Sequence, residues 1–234
     1  MQKALGILGG MGSLATANFM AQVVSHTQAD KDSDHLRIYV DCHPQIPGRV
    51  EAIFEEGEDP VSAICESIKK LESIGAQVIA MPCVTAHAFY DKFVESSAVP
   101  FLHLPEIAVN ACAHDFPGET AGVLSTAAAA KLRILLNQMD RYNVPYITPK
   151  EDEQAVLTKL IAEVKANNDI TQMAKDFSKT LDSMKKRGAD YFVLGCTELP
   201  LIAKYCRQEK YRFVDTAFEL AKASILACGG LVKL

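Results

Sequence analysis

Short apolar runs alternate with longer helical patterns along almost the whole chain. The runs are continuously apolar rather than alternating, which is typical of strands buried on both faces of a parallel sheet. Because helical patterns separate nearly all of them, the order predicts βαβ units. The predicted strands are 4–8, 36–42, 77–81, 101–104, 120–124, 144–147, 191–194 and 211–214. The predicted helices are 13–29, 60–74, 85–94, one opening at Pro105, 127–139, 151–166, 169–187 and 216–226.

These strands divide near residue 104 into two sets of four, and the last helix is expected to return to the first set. The predicted fold class is therefore α/β, with two pseudo-symmetric lobes that are each a four-stranded parallel sheet flanked by helices. Lobe 1 comprises residues 1–104 plus 215–234, and lobe 2 comprises residues 105–214. We expect the active site in the cleft between the lobes, beyond the carboxyl ends of the strands.

Composition and charge exclude several classes of protein. The chain has 234 residues, of which 49% are hydrophobic and 23% charged, as in an ordinary globular protein. The net charge is −5 and no basic stripe is visible, so we expect no nucleic-acid partner. No long apolar run or signal peptide is found, which predicts a cytoplasmic protein without a membrane partner. The seven cysteines include no CxxC pair, so neither a disulfide framework nor a metal site is expected.

Two of the cysteines lie in matching local sequences, VIAMPCVTAH (78–87) and FVLGCTELP (192–200). In each, a buried strand is followed by Cys, a nearby Thr and the start of a helix. Helix starts favour a thiolate and also bind carboxylates. If the two halves face one another, Cys83 and Cys196 would flank one ligand. One thiolate would then remove a proton from a carbon while the opposite thiol delivers another, which is a two-base inversion.

Six segments carry a resemblance to a known family: GILGGMGSLATA (6–17), PQIPGR (44–49), GEDP (57–60), MPCVTAHAF (81–89), TPKEDEQ (148–154) and GCTE (195–198). Together they resemble the aspartate/glutamate racemase superfamily, in particular its aspartate racemase and broad-specificity amino-acid racemase branch. The resemblance implies two α/β lobes, a homodimer and an enzyme that inverts Cα without pyridoxal phosphate or another cofactor. Glu198, after Cys-Thr, resembles the aspartate branch.

The resemblance also implies roles for individual residues, carried over position by position. Cys83 and Cys196 would be the acid/base pair. Thr85 and Thr197 would hold the α-carboxylate of the substrate. Arg49 and Lys165 would hold the side-chain carboxylate, and Thr126 would remain from a Thr-rich substrate-binding turn. The predicted function is therefore a racemase whose small-molecule partner is an acidic amino acid, with aspartate favoured over glutamate.

Departures from the family pattern keep alternatives open. The family has Asn where this chain has Val84, and segment 125–129 reads STAAA where the family often has Thr-Thr-Gly-Thr. One alternative is an isomerase or decarboxylase of the same superfamily that acts on a small dicarboxylate. Another is a weakly active or non-catalytic binder built on the racemase scaffold.

Three further features allow other interpretations. Residues 10–15 fit the G-x-G-x-x-A pattern of dinucleotide-binding turns, although the required acid about 20 residues later is poorly matched, because Asp30 and Asp32 fall in a predicted loop and Asp41 lies too far along the chain. His87 lies four residues after Cys83 and would suit a Cys–His nucleophile pair, although a packed core histidine is favoured. Glu198 would either raise the pKa of the second thiol or hold a water.

Overall fold

The computed structural model describes residues 2–54, 56–166, 168–171, 173–206 and 208–233. Backbone contacts divide the chain into two compact units. Unit 1 comprises Met1–Ile107 and Ala217–Leu234, and unit 2 comprises Ala108–Thr216. Each unit has its own parallel sheet flanked by helices, which confirms the predicted α/β class.

Unit 1 is built on three parallel strands, β1 (Leu5–Gly9), β2 (Ile38–Cys42) and β3 (Val78–Ala80), in the order β2–β1–β3. The central strand is buried along its whole length, which explains its uninterrupted apolar sequence. Helix α3 (Val61–Ser73) buries Ile64, Ile68 and Leu71 against the sheet, and their spacing of four and three residues marks one helical face. The elements of this part of the chain are β1 (Leu5–Gly9), α1 (Ser13–His26), β2 (Ile38–Cys42), α2 (Arg49–Ile53), α3 (Val61–Ser73), β3 (Val78–Ala80), α4 (Tyr90–Phe93) and α5 (Leu104–Asp115).

The fourth strand predicted for lobe 1, residues 101–104, is wrong. Phe101 forms only an isolated parallel bridge with Ile79. The Ile79 N–H donates to Pro100 and the Leu102 N–H donates to Ile79, and then helix α5 begins at Leu104. Because Pro100 has no N–H to donate and the helix starts three residues after the bridge, no longer ladder forms. Unit 1 therefore has a three-stranded sheet.

Unit 2 is built on four parallel strands, β4 (Ala121–Ser125), β5 (Tyr146–Ile147), β6 (Tyr191–Gly195) and β7 (Phe213–Asp215), in the order β5–β4–β6–β7. Strands β4 and β6 are buried at every position. One core cluster joins this sheet to the helices that cover it and includes Leu157, Phe177 and Leu194. The elements are β4 (Ala121–Ser125), α6 (Ala127–Lys131), α7 (Leu136–Arg141), β5 (Tyr146–Ile147), α8 (Glu151–Lys165), α9 (Ala174–Lys186), β6 (Tyr191–Gly195), α10 (Leu199–Ala203) and β7 (Phe213–Asp215); α11 (Thr216–Ala227) then returns to unit 1.

Three predicted helices differ from the observed ones. The helix predicted over 127–139 is broken into α6 and α7, and Arg133 between them has φ +54°, outside the helical region. The helix predicted from residue 169 begins at Ala174, because Asp169 accepts the Thr171 N–H in a turn (2.9 Å). The helix predicted over 85–94 consists of 3₁₀ turns at Thr85–Phe89 and Val94–Ser96 with α4 between them.

Candidate active site

In unit 1, Cys83 lies just beyond the carboxyl end of β3. Its N–H donates to the Met81 carbonyl over 2.8 Å, which turns the chain sharply away from the strand. The side chain is 7% exposed and belongs to a core cluster that also contains Met11 and Ile46. Thr85, also buried, begins the 3₁₀ turn that follows. The strand end, the glycine-rich turn and the loop before α2 thus contribute to one core cluster that includes this cysteine.

His87 is not a base for Cys83. Its Nδ1 lies 2.9 Å from the Cys83 carbonyl oxygen, and its Nε2 accepts the Leu104 N–H over 3.3 Å. Since Nε2 accepts, the ring proton is on Nδ1 and donates to that carbonyl. Burial lowers the pKa of His87 to about 3, so the ring is neutral near pH 7. Both ring nitrogens are engaged by the main chain, which removes the Cys–His nucleophile pair from consideration.

Arg49 is the first residue of helix α2. Its Nη1 donates to the carbonyls of Ile46 and Pro47 over 3.1 and 3.0 Å. Its Nε is buried and has no hydrogen-bond partner among the described residues. Helix α2 packs beside the 3₁₀ turn that carries Thr85, so these two predicted residues lie on adjacent elements of unit 1.

Two polar backbone groups of the glycine-rich turn after β1 form hydrogen bonds within the chain. Thr16 accepts the Gly10 N–H over 2.9 Å and donates to the Gly12 carbonyl over 2.8 Å. A Cβ on Gly10 would lie 2.3 Å from the His43 carbonyl carbon, so close backbone approach requires glycine here. Because a dinucleotide site needs this N–H for a phosphate, the arrangement argues against the dinucleotide interpretation.

In unit 2, Cys196 and Thr126 follow two residues that pair directly. Ser125 at the end of β4 is the register partner of Gly195 at the end of β6. Thr126 and Cys196, which come next in the chain, therefore follow the ends of adjacent strands at the same edge of the sheet. Thr126 is buried and its Oγ1 accepts the Ala129 N–H over 3.1 Å, which caps helix α6.

The thiol of Cys196 has a carboxylate beside it. Its Sγ donates to Glu198 Oε2 over 2.9 Å, and both side chains are buried. Burial raises the pKa of the Cys196 thiol well above its ordinary value, and the Glu198 charge raises it further. Lys165 and the Glu198 backbone N–H oppose these effects on the same pKa. Glu198 was expected either to raise the pKa of this thiol or to hold a water. The contact with Cys196 supports the first role.

The other predicted residues of unit 2 lie around this thiol. Thr197 is buried between Cys196 and Glu198 in the chain. Lys165 is the last residue of α8, with an exposed side chain whose charge acts on Cys196. Unit 2 thus brings Thr126, Lys165, Cys196 and Thr197 to one region, whereas Arg49, Cys83 and Thr85 belong to unit 1.

Gln154 also lies in this region, and no role was predicted for it. Its amide donates to the Ser125 carbonyl over 3.1 Å and so supports the end of β4 just before Thr126. The only signal was its place at the end of the TPKEDEQ segment, which opens α8.

Within the described ranges, no group of three or more His, Cys, Asp or Glu side chains is placed to hold a metal ion. None of the helices described has both the length and the apolar content needed to cross a bilayer.

Comparison with known proteins identifies the family. The family model for Asp/Glu/hydantoin racemase matches residues 8–223. The broad specificity amino-acid racemase RacX of Bacillus subtilis is 28% identical over 94% of this chain and 96% of its own length. The aspartate racemase of Picrophilus torridus has 33% identity and a TM-score of 0.89, covering 99% of this chain and 96% of its own. A glutamate racemase of Bacillus anthracis shares the fold, with a TM-score of 0.67, 17% identity and coverage of 98% of this chain and 84% of its own.

The resemblance expected from the sequence motifs is confirmed by these matches, which span almost the whole chain. The chain belongs to the Asp/Glu/hydantoin racemase family of enzymes.

Proposed function

We propose that the protein is a cofactor-independent racemase that inverts Cα of an acidic amino acid by proton transfer between Cys83 and Cys196. The observation that carries the proposal is the matched placement of these thiols. Each is a buried cysteine just beyond the carboxyl end of a strand in its own parallel sheet, and each is followed closely by a threonine and a helical turn. This edge of a parallel sheet is where ligands bind.

The proposed reaction needs one sulfur on each side of the substrate Cα. The base thiolate takes the Cα proton and becomes a thiol, leaving a carbanion stabilised by the α-carboxylate. The opposite thiol then donates its proton to the other face of Cα and becomes a thiolate. One C–H bond breaks and another forms, and the total charge of the site does not change. The roles of the two cysteines exchange for the other enantiomer.

Substrate recognition is assigned to groups near the two thiols. In the proposal, Thr85 and Thr197 hold the α-carboxylate, and Thr126 is a further substrate-binding residue. Arg49 and Lys165 hold the side-chain carboxylate, because an arginine fork and a lysine ammonium both pair with anions. Aspartate is the preferred substrate in this proposal, which is supported by the named activity of the Picrophilus torridus relative and by Glu198 after Cys-Thr.

The test is incubation with L- and D-aspartate and a panel of other amino acids in D2O, followed by NMR for loss of the Cα–H signal. The wild type is expected to exchange and racemise aspartate. Cys83→Ser and Cys196→Ser should each lower the racemisation rate by at least about 100-fold, because each removes the proton carrier of one face.

Matched controls are available because the chain contains other cysteines in both units. Cys65→Ser in unit 1 and Cys206→Ser in unit 2 remove thiols that do not follow a strand end, and both variants should retain racemisation. Full activity in either Cys83→Ser or Cys196→Ser would contradict the two-base reaction.

A second candidate function is an isomerase or decarboxylase that acts on a small dicarboxylate lacking the amino group. It is favoured by Val84, a buried apolar side chain at the position where the family has an amide. This candidate expects no exchange with amino acids and loss of activity in only one of the two cysteine variants. Binding of amino acids that stabilises the fold without any exchange would instead indicate a non-catalytic binder.

A further inference from the structure

Cys196 and Glu198 form a buried pair in unit 2. The Cys196 thiol donates a hydrogen bond to Glu198 Oε2, with a distance of 2.9 Å between sulfur and oxygen. Glu198 is 3% exposed and Cys196 is 6% exposed, so water has little access to either side chain. The second carboxylate oxygen, Oε1, is buried and has no hydrogen-bond partner among the described residues.

This geometry distinguishes the two protonation states of Cys196. A carboxylate is an acceptor only, so it bonds to the thiol and repels the thiolate. Because Oε1 has no partner, the thiol hydrogen is the bond that partly offsets the cost of burying this carboxylate. Loss of that proton would place two negative charges side by side in a buried position, which is costly in a medium of low dielectric constant.

Two other charged or polar groups act on the same sulfur. The Lys165 ammonium at the end of α8 and the Glu198 backbone N–H both favour the thiolate and lower the thiol pKa. They are outweighed, since burial and the Glu198 carboxylate leave that pKa well above its ordinary value. Glu198 is therefore the charged side chain that keeps Cys196 protonated and able to donate a proton.

We propose that Glu198 is a positioning residue that holds the proton on Cys196, so that the resting enzyme carries Cys196 as the acid of the pair. The catalytic part of this inference rests on the proposed two-thiol function. Cys196 gives its proton to Cα and becomes a thiolate beside Glu198. That thiolate then regains a proton in one of two ways. It takes one from Cα of the opposite enantiomer while the Cys83 thiol donates to the other face, or it takes one from solvent after product release while the Cys83 thiol returns its proton to solvent.

The first test measures Cys196 directly and needs no turnover. Wild type and Glu198→Gln are alkylated with iodoacetamide at pH 8, and modification of the Cys196 peptide is followed by mass spectrometry. The variant should react at least about tenfold faster, because a neutral amide no longer repels the thiolate and each unit of thiol pKa changes its fraction tenfold. Exposed Cys42 in the same molecule is the internal reference and should react at an unchanged rate.

Two control variants bracket this result. Glu151→Gln removes the same charge from an exposed position in the first turn of α8 and should leave Cys196 alkylation unchanged. Lys165→Gln removes the opposing charge and should slow it. Unchanged or slower alkylation of Cys196 in folded Glu198→Gln would overturn the inference.

The second test is the pH profile of kcat/KM for aspartate. In Glu198→Gln the high-pH limb, where the acid loses its proton, should move to lower pH by at least about one unit, and Glu198→Asp should restore part of the wild-type limb. A role in packing alone would lower the rate equally at every pH. Retained activity in both cysteine variants would reject the proposed function, whereas the alkylation result would still decide the pairing of Cys196 with Glu198.

Discussion

At the scale of the residue, His87 shows how burial decides the role of a titratable side chain. Four residues after Cys83, it has the sequence position of a catalytic base, but its ring joins the Cys83 carbonyl to the Leu104 N–H inside unit 1. The pKa of this ring is lowered to about 3 by burial. The neutral ring therefore has a structural role. Because it stays neutral in the folded protein, the free energy of unfolding should depend on pH.

His87 predicts a loss of stability in mild acid. In the unfolded chain its imidazole titrates near 6.5, so as the pH falls below that value the unfolded state binds a proton that the folded state refuses until about pH 3. The contribution of His87 to the free energy of unfolding is fully present above about pH 6.5. It should fall by about 2–3 kcal/mol by pH 4.5. Urea unfolding at pH 8 and at pH 4.5 measures this change in the free energy of unfolding.

Two variants isolate the contribution of His87. His87→Gln should be less stable at pH 8 by about 1–3 kcal/mol, because the amide loses the ring contacts of His87 with Tyr90 and His103. It should also lose less stability than the wild type between the two pH values. Exposed His114→Gln should keep the wild-type dependence. Equal losses in wild type and His87→Gln would show that another group carries the effect.

At the scale of the element, the end of β6 depends on a glycine beside Cys196. A Cβ on Gly195 would lie 2.4 Å from Leu135 Cδ1 and 2.8 Å from the Leu124 carbonyl oxygen. Because one of these atoms belongs to the neighbouring strand's backbone, it has little freedom to move. Gly195→Ala should therefore destabilise the protein by about 1–3 kcal/mol and displace the adjacent thiol, which lowers racemisation.

A matched substitution is Gly48→Ala, which also adds one methyl group before a functional residue. The atom nearest to the added Cβ is the carboxylate oxygen of Glu51, at the end of a flexible side chain that can rotate away. Thermal unfolding should place this variant within about 1 kcal/mol of the wild type. A similar loss in both variants would contradict the packing argument for Gly195.

At the scale of the whole molecule, the proposed substrate contacts come from both units, with Arg49 in unit 1 and Lys165 in unit 2. Aspartate at a hundredfold excess over its Kd should raise the free energy of unfolding of the wild type by about 2.7 kcal/mol. Arg49→Gln and Lys165→Gln should each lose most of this stabilisation, because each leaves the side-chain carboxylate with one cation.

The controls for this experiment are exposed cations of the same units. Arg37→Gln in unit 1 and Lys159→Gln in unit 2 should retain the stabilisation by aspartate seen in thermal unfolding. If Arg49→Gln and Lys165→Gln also retained it, the assignment of these two residues to the side-chain carboxylate would be wrong.

Much of the fold could be predicted because local patterns coincide with the final environment. The central strands β1, β4 and β6 are apolar at nearly every position and buried at all of them. The two cysteine corners were found because a strand, a cysteine and a helix start are consecutive in the chain. The bridge at Phe101 and the break at Arg133 could not be predicted, because both depend on backbone contacts that neighbouring residues do not specify.

The sequence by itself determined the α/β class, the family and the placement of Cys83 and Cys196 at strand ends, because these follow from periodicity and from motifs of adjacent residues. Only the tertiary structure decided that His87 is bound by the main chain, that Arg49 starts a helix, and that the Cys196 thiol donates to Glu198. Protonation and hydrogen bonding depend on burial and on atoms brought together by folding, and neither is encoded in the spacing of residues along the chain.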